Sequence, residues 1–115
     1  MRLLVLVLSV LLIGGSRGTA EELPVRIFGE GTSSCTEWLQ YRAYNTVMGP
    51  ITEAWVRGFL TGMNAADLSS HSIGRGVTPI TNNIWLDNYC SQHPLEKLYN
   101  AALALRAALR DAGRE

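Results

Sequence analysis

The chain has very few of the groups from which catalytic and metal centres are assembled. It holds two histidines, two cysteines and a single lysine, Lys97. A structural zinc takes four nitrogen or sulfur ligands. Cys90-Ser91-Gln92-His93 has the spacing of half such a site, and His71 and Cys35 are the only other candidates. We therefore expect no metal and no cofactor. Gly74-Arg75-Gly76 lacks the Lys-Ser/Thr of a phosphate-binding loop and no strand precedes it, so it reads as a connector. Gly14-Gly15-Ser16-Arg17-Gly18 matches a G-x-S-x-G nucleophile pattern without the strand–turn–helix context that the chemistry needs. Glu37, Glu53, Asp67 and Asp87 are the carboxylates available for acid–base work. Two of them fall at expected helix starts, where acids are ordinary, and nothing combines nucleophile, base and orienter. The expectation is a non-enzyme. Charge is sparse as well, at 17% of residues with a formal net of zero. A neutral balance argues against nucleic acid, which favours a basic face, and against docking on anionic membranes. The chain has no internal repeat and no low-complexity tract.

What is present is an export pattern followed by two thiols. Met1-Arg2 precedes an apolar run, Leu3 to Ile13, and then the small-residue segment Gly14 to Ala20. A basic start, an apolar core and a Gly-x-Ala end make a signal peptide. The run falls short of the roughly 20 apolar residues of a membrane-spanning helix. Residues 1–20 are thus expected to be removed, and the absence of a nearby cysteine argues against a lipid anchor. Residues 21–115 then carry eight basic and ten acidic side chains, a net of −2. In an oxidising compartment, periplasmic or secreted, Cys35 and Cys90 are expected to form one disulfide. That bridge closes a loop of about 56 residues, for which the chain-entropy model gives roughly 4 kcal/mol.

Periodicity gives four helices. Residues 21–33, with Pro24, Gly29 and Gly31, read as an irregular arm containing a short extended piece at Val25 to Phe28. Ser34-Cys35-Thr36-Glu37 is a capping box. It opens a first helix over about 35–47, with Cys35, Trp38, Leu39 and the stem of Arg42 inward and Gly49-Pro50 as its stop. A second helix over about 52–68 carries an apolar stripe of Ile51, Trp55, Phe59 and Met63. Gly58 and Gly62 form a small-xxx-small pair beside it, either for close packing within the chain or for a homodimer seam. Residues 69–77 form a loop. Thr78-Pro79 starts a third helix by an N-cap and a first-position proline, with Ile80, Ile84, Leu86, Tyr89 and Cys90 apolar. His93-Pro94 ends it. A fourth helix over about 94–112 presents Leu95, Leu98, Ala102, Leu105 and Leu109, and Gly113 stops it. Residues 34–112 thus read as the helical domain and 113–115 as a tail. Trp38, Trp55 and Trp85 fall on three different helices. They either meet in the core near the disulfide or, with Phe59 and Tyr89, leave an exposed patch for a partner.

Three segments together resemble a known family: Cys35-Thr36-Glu37-Trp38-Leu39, then Trp55-Val56-Arg57-Gly58-Phe59-Leu60-Thr61-Gly62, then Thr78-Pro79 leading to Tyr89-Cys90-Ser91-Gln92-His93-Pro94 and to Leu98, Ala101 and Ala102. In order and spacing they are similar to the HdeA/HdeB family of small periplasmic acid-stress chaperones, over about residues 35–109. The resemblance implies an all-α, small single-domain, four-helix HdeA-like fold with one disulfide, folded and dimeric at neutral pH. In strong acid, once the carboxylates are neutral, residues 21–115 move from −2 to about +10. Self-repulsion then loosens the packing. Apolar surface from Trp55, Phe59, Leu60 and Met63 would bind unfolding client proteins. A second resemblance, to periplasmic immunity proteins that block toxins of type VI secretion systems, implies instead a stable dimeric plug for one cognate toxin.

Overall fold

The computed structural model describes residues 24–67 and 72–113. The expected signal peptide, His71, Leu68 at the end of the second expected helix and most of the tail lie outside the described residues. After a 3-10 turn, Gly29–Thr32, come four helices: α1 Cys35–Tyr44, α2 Met48–Ala66, α3 Pro79–Gln92 and α4 Leu98–Ala112. The fold is all-α and carries one disulfide, Cys35–Cys90, with the two Cα atoms 4.8 Å apart.

Local signals set the two best-defined helix starts. The Glu37 amide donates to Ser34 Oγ at 3.1 Å, and Glu37 Oε2 accepts the Ser34 amide at 2.8 Å, completing the capping box of α1. At α3 the Thr81 amide donates to Thr78 Oγ1, with Pro79 in the first turn. The amides of Cys35 and Thr36, which have no partner inside their own helix, donate to the carbonyls of Glu96 and Pro94. The Leu98 amide returns to Ser33 O at 2.7 Å, and Ser34 and Lys97 form an isolated β-bridge. The turn before α4 is therefore committed to the start of α1. This is why α4 begins at Leu98 and not at Pro94, and why Leu95, expected on its apolar stripe, stands 92% exposed.

The α1–α2 junction also differs from expectation. Gly49-Pro50 does not stop the first helix; both residues lie in the first turn of α2. Asn45 ends α1, and its Oδ1 accepts the Val47 and Met48 amides at 3.0 and 2.9 Å, so α2 starts within three residues. Proline is tolerated there because a first-turn N–H has no helical partner to lose. Gly49 is required by contact: a Cβ would lie 2.9 Å from the Tyr41 carbonyl oxygen.

The core joins the disulfide to Trp38, Val56, Leu60, Leu86, Leu98, Ala101 and Leu105. The buried side of α2 is Gly49, Thr52, Val56 and Leu60, one position round from the expected stripe, and Ile51 is 46% exposed. Thr52 is buried without penalty because its hydroxyl donates to the carbonyls of Met48 and Gly49. On α3 the inward residues are Asn83, Leu86 and Cys90, while Ile80 and Ile84, expected inside, face out.

Candidate functional site

The residues with most apolar surface to offer lie on the flank of α2. Trp55 and Phe59, one turn apart, stack with ring centroids 5.4 Å apart and 14° between planes. Tyr99 of α4 meets Phe59 edge-on at 5.6 Å. Trp55, Phe59 and Met63 are half-buried, whereas Leu60 is 8% exposed and belongs to the core. The four side chains expected to bind partners are thus not one open patch. Leu60 faces inward beneath the other three, and the chain's own N-terminal arm lies over Trp55. The Trp55 indole donates to the Phe28 carbonyl at 2.8 Å. Gly29, at φ +70°, and Gly31 press against the ring. A Cβ on Gly31 would overlap Trp55 and come within 2.7 Å of Ile27 Cγ2.

The three tryptophans accordingly divide. Trp38 is fully buried, Trp55 is covered by the arm, and Trp85 is half-buried on α3. Trp85 begins a stacked row with Tyr89, at 5.3 Å, and His93, at 4.1 Å. His93 Nδ1 lies 2.8 Å from the Tyr89 carbonyl, which can only accept, so Nδ1 carries the proton. With Cys90 oxidised, no thiolate is left for the Cys90–His93 half-site. Among the described residues no three His, Cys, Asp or Glu side chains gather to hold a metal.

The Tyr89 hydroxyl donates to Glu96 Oε2 at 2.7 Å. That bond first, and burial second, raise the phenol above its ordinary value of 10. A raised phenol favours the neutral form in the folded state. The stabilisation is therefore complete below pH 10 and is lost as pH rises through the folded value. Absorbance at 295 nm during alkaline titration, compared between the parent and Tyr89→Phe, should assign Tyr89 to a late-ionising tyrosine. Glu96→Ala should bring that ionisation down towards 10.

A charged cluster fastens three helices. Arg42 of α1 donates from Nε and Nη2 to the two oxygens of Asp87 on α3, each at 2.7 Å, and from Nη1 to Glu53 of α2 at 2.6 Å. The Trp38 indole donates to Asp87 as well, at 2.9 Å, and the guanidinium lies 5.5 Å from the Trp38 ring centroid. These groups are a quarter to a third exposed, so screening is incomplete and the two-pronged geometry adds to the attraction. The hydrogen bond to Asp87 is the main cause holding the Arg42 pKa above its ordinary value. The four carboxylates considered for catalysis are all engaged in this way. Glu37 caps α1, Glu53 and Asp87 share Arg42, and Asp67 meets Arg106 at 3.2 Å and Arg110 at 3.8 Å.

Gly58 and Gly62 both face out, and nothing lies within 4 Å of a Cβ built on either. The expectation that they seat another helix of the same chain is therefore wrong, because the neighbours of α2 approach from the side of Thr52, Val56 and Leu60. A shallow recess of about 210 Å³ lies between α2, α3 and α4, with Arg57, Asn64, Ile73, Asn82 and Leu109 on its walls.

Sequence reasoning missed two parts of this arrangement. The Arg42 cluster joins residues 11 and 45 apart, and charge spacing on one helix gives no sign of it. Gly29-x-Gly31 was visible as a glycine pair, but nothing local shows that a tryptophan lies against it. No protein-family model, no curated protein and no solved structure matches this chain.

Proposed function

We propose that this chain is a non-enzymatic, exported protein-binding domain of HdeA-like character, whose apolar surface is latent at neutral pH and opened by acid. The observation that carries this reading is the double closure of the domain. A charged fastener, Arg42 with Glu53 and Asp87, ties α1, α2 and α3 together. The arm separately shuts Trp55, next to Phe59 and Tyr99. In strong acid the chain as a whole becomes strongly cationic, and its self-repulsion works against both closures. The disulfide keeps α1 on α3 throughout and limits how far the chain opens. An intramolecular disulfide fits an oxidising, extracytoplasmic compartment, and the periplasm is our proposed location. Among the described residues no helix is long and apolar enough to cross a membrane.

A second reading is favoured by a different feature. The Gly58–Gly62 face is open in the folded structure and lets a partner backbone approach closely. That suits a homodimer seam, or the face of an immunity protein that plugs one toxin without any need for acid.

The test follows the oxidised protein, residues 21–115, from pH 7 to pH 2 by tryptophan fluorescence, hydrophobic-dye binding and sedimentation. Suppression of client aggregation is then measured at the acid end. The expected result is reversible opening below about pH 4, with client protection. A species that stays closed and protects nothing removes the chaperone reading and leaves the immunity reading.

A further inference from the structure

We infer that the face around Trp55 is a site for a glycine-bearing stretch of another polypeptide, and that residues 28–31 of the arm occupy it as an internal substitute. The inference rests on the protein-binding reading above and specifies its partner.

The arm is held in an unusual way. Two of its three large apolar side chains turn outward, with Phe28 75% and Val25 63% exposed, while Ile27 is half-buried with its Cγ2 beside Gly31. Trp55 meets backbone, through the Phe28 carbonyl on its indole and the bare Cα atoms of Gly29 and Gly31 against the ring. Between residues 24–32 and the helices, this indole bond is the one hydrogen bond among the described residues. The remaining bonds of the turn are internal to it: Thr32 Oγ1 to Gly29 O at 3.1 Å, the Ser33 amide to Glu30 O at 3.0 Å and the Ser33 hydroxyl to Glu30 Oε2 at 3.0 Å. A contact made by a carbonyl and by the absence of a Cβ places one demand on sequence, a residue without a side chain opposite the tryptophan. Any unfolded chain can supply that at its glycines, with the next carbonyl upstream as acceptor. The neighbouring edge-on pair of Phe59 and Tyr99 extends the floor on which such a chain would lie. Because the arm is covalently present, an incoming segment must displace it, and apparent affinity falls by the fraction of time the arm is away.

The experiment uses the oxidised full mature chain and one probe, a synthetic peptide PVRIFGEGTS with blocked ends, together with its glycine-to-valine counterpart at the position of Gly31. Gly31→Ala is the first variant, because its Cβ expels the arm from the ring. Gly29→Ala, strained at φ +70°, is the milder second variant should the first fail to fold. At pH 7 either variant is expected to keep its helical circular dichroism, shift its tryptophan emission to the red and bind the probe at least tenfold more tightly than the parent. The valine peptide is expected to bind at least tenfold more weakly than the probe. Trp55→Phe in the variant background keeps a ring but loses the N–H donor, and should lower probe binding several-fold.

The inference is overturned if the variants show the parent's emission, since the arm then covers nothing. It is also overturned if both peptides bind alike, or if sedimentation shows that only the arm of a second copy enters the site. The outcome for the parent reading is separate. Glycine-selective binding without client protection at pH 2 removes the acid-chaperone reading alone, and client protection without glycine selectivity removes this inference alone.

Discussion

Reducing the Cys35–Cys90 bridge is expected to lower the stability of this domain by about 2–5 kcal/mol, the range for native disulfides in small exported domains. Both sulfurs are fully buried, in contact with the core. Two effects must be separated. Reduction leaves the sulfur volume in place and returns loop entropy to the unfolded chain. Cys35→Ala with Cys90→Ala returns the same entropy and also leaves space in the core, which adds its own cost. Thermal unfolding of the oxidised protein, the reduced protein and the double alanine variant should therefore give three descending midpoints. The first gap should be the larger, roughly 15–25 °C for a domain of this size. Since whole domains are stable by only about 5–15 kcal/mol, the double variant is expected to be partly unfolded at 37 °C. An unchanged midpoint after reduction would show that the bridge constrains nothing in the unfolded chain.

The parts of this fold that were legible in the sequence are those decided within one helical turn. Ser34 with Glu37 and Thr78 with Pro79 act on amides three residues away, so their positions alone locate the helix starts. Errors arise where distant segments compete for the same backbone. Pro94 to Lys97 could have begun α4, but their carbonyls are taken by the amides of Cys35 and Thr36, about sixty residues upstream. Gly49-Pro50 looks like a stop because both residues weaken a helix interior, yet a first turn tolerates proline, and the Tyr41 carbonyl needs the glycine. On α2 the apolar residues cover more than one face, and periodicity cannot choose between Ile51-Trp55-Phe59-Met63 and Thr52-Val56-Leu60. One local and one tertiary fact decide it: Thr52 satisfies its own hydroxyl inside the helix, and the arm lies over Trp55. The binding residues suffer from the same limit. Aromatic content marked Trp55 and Phe59 as candidates, but the arm that closes over Trp55 bonds it through the Phe28 carbonyl, a contact across 27 residues.

The second large effect is expected at Arg42. Arg42→Met keeps an unbranched stem beside Trp38 and removes the cation, leaving Glu53 and Asp87 without it in a partly buried site. At pH 7 the loss should be about 2–3 kcal/mol, the scale of hydrogen bonds to charged groups, read as a urea midpoint lower by about 1–2 M. The informative quantity is its change with pH. The Arg42 pKa is raised above its ordinary value, chiefly by its hydrogen bond to Asp87. A raised base contributes stability that is complete below its unfolded value and lost only as pH rises through the folded one. The guanidinium is therefore charged throughout the acid and neutral range, and its contribution is complete there. The stability gap between parent and Arg42→Met should stay open from neutral into mildly alkaline solution and narrow only in strong alkali, where the parent loses its cation and the variant has none to lose. Urea midpoints of the two proteins measured at pH 7, 8 and 9 check this. A gap that has already closed by pH 9 would show that the charge on Arg42 is not what ties α1 to α3, and that Asp87 is held there by the Trp38 indole alone.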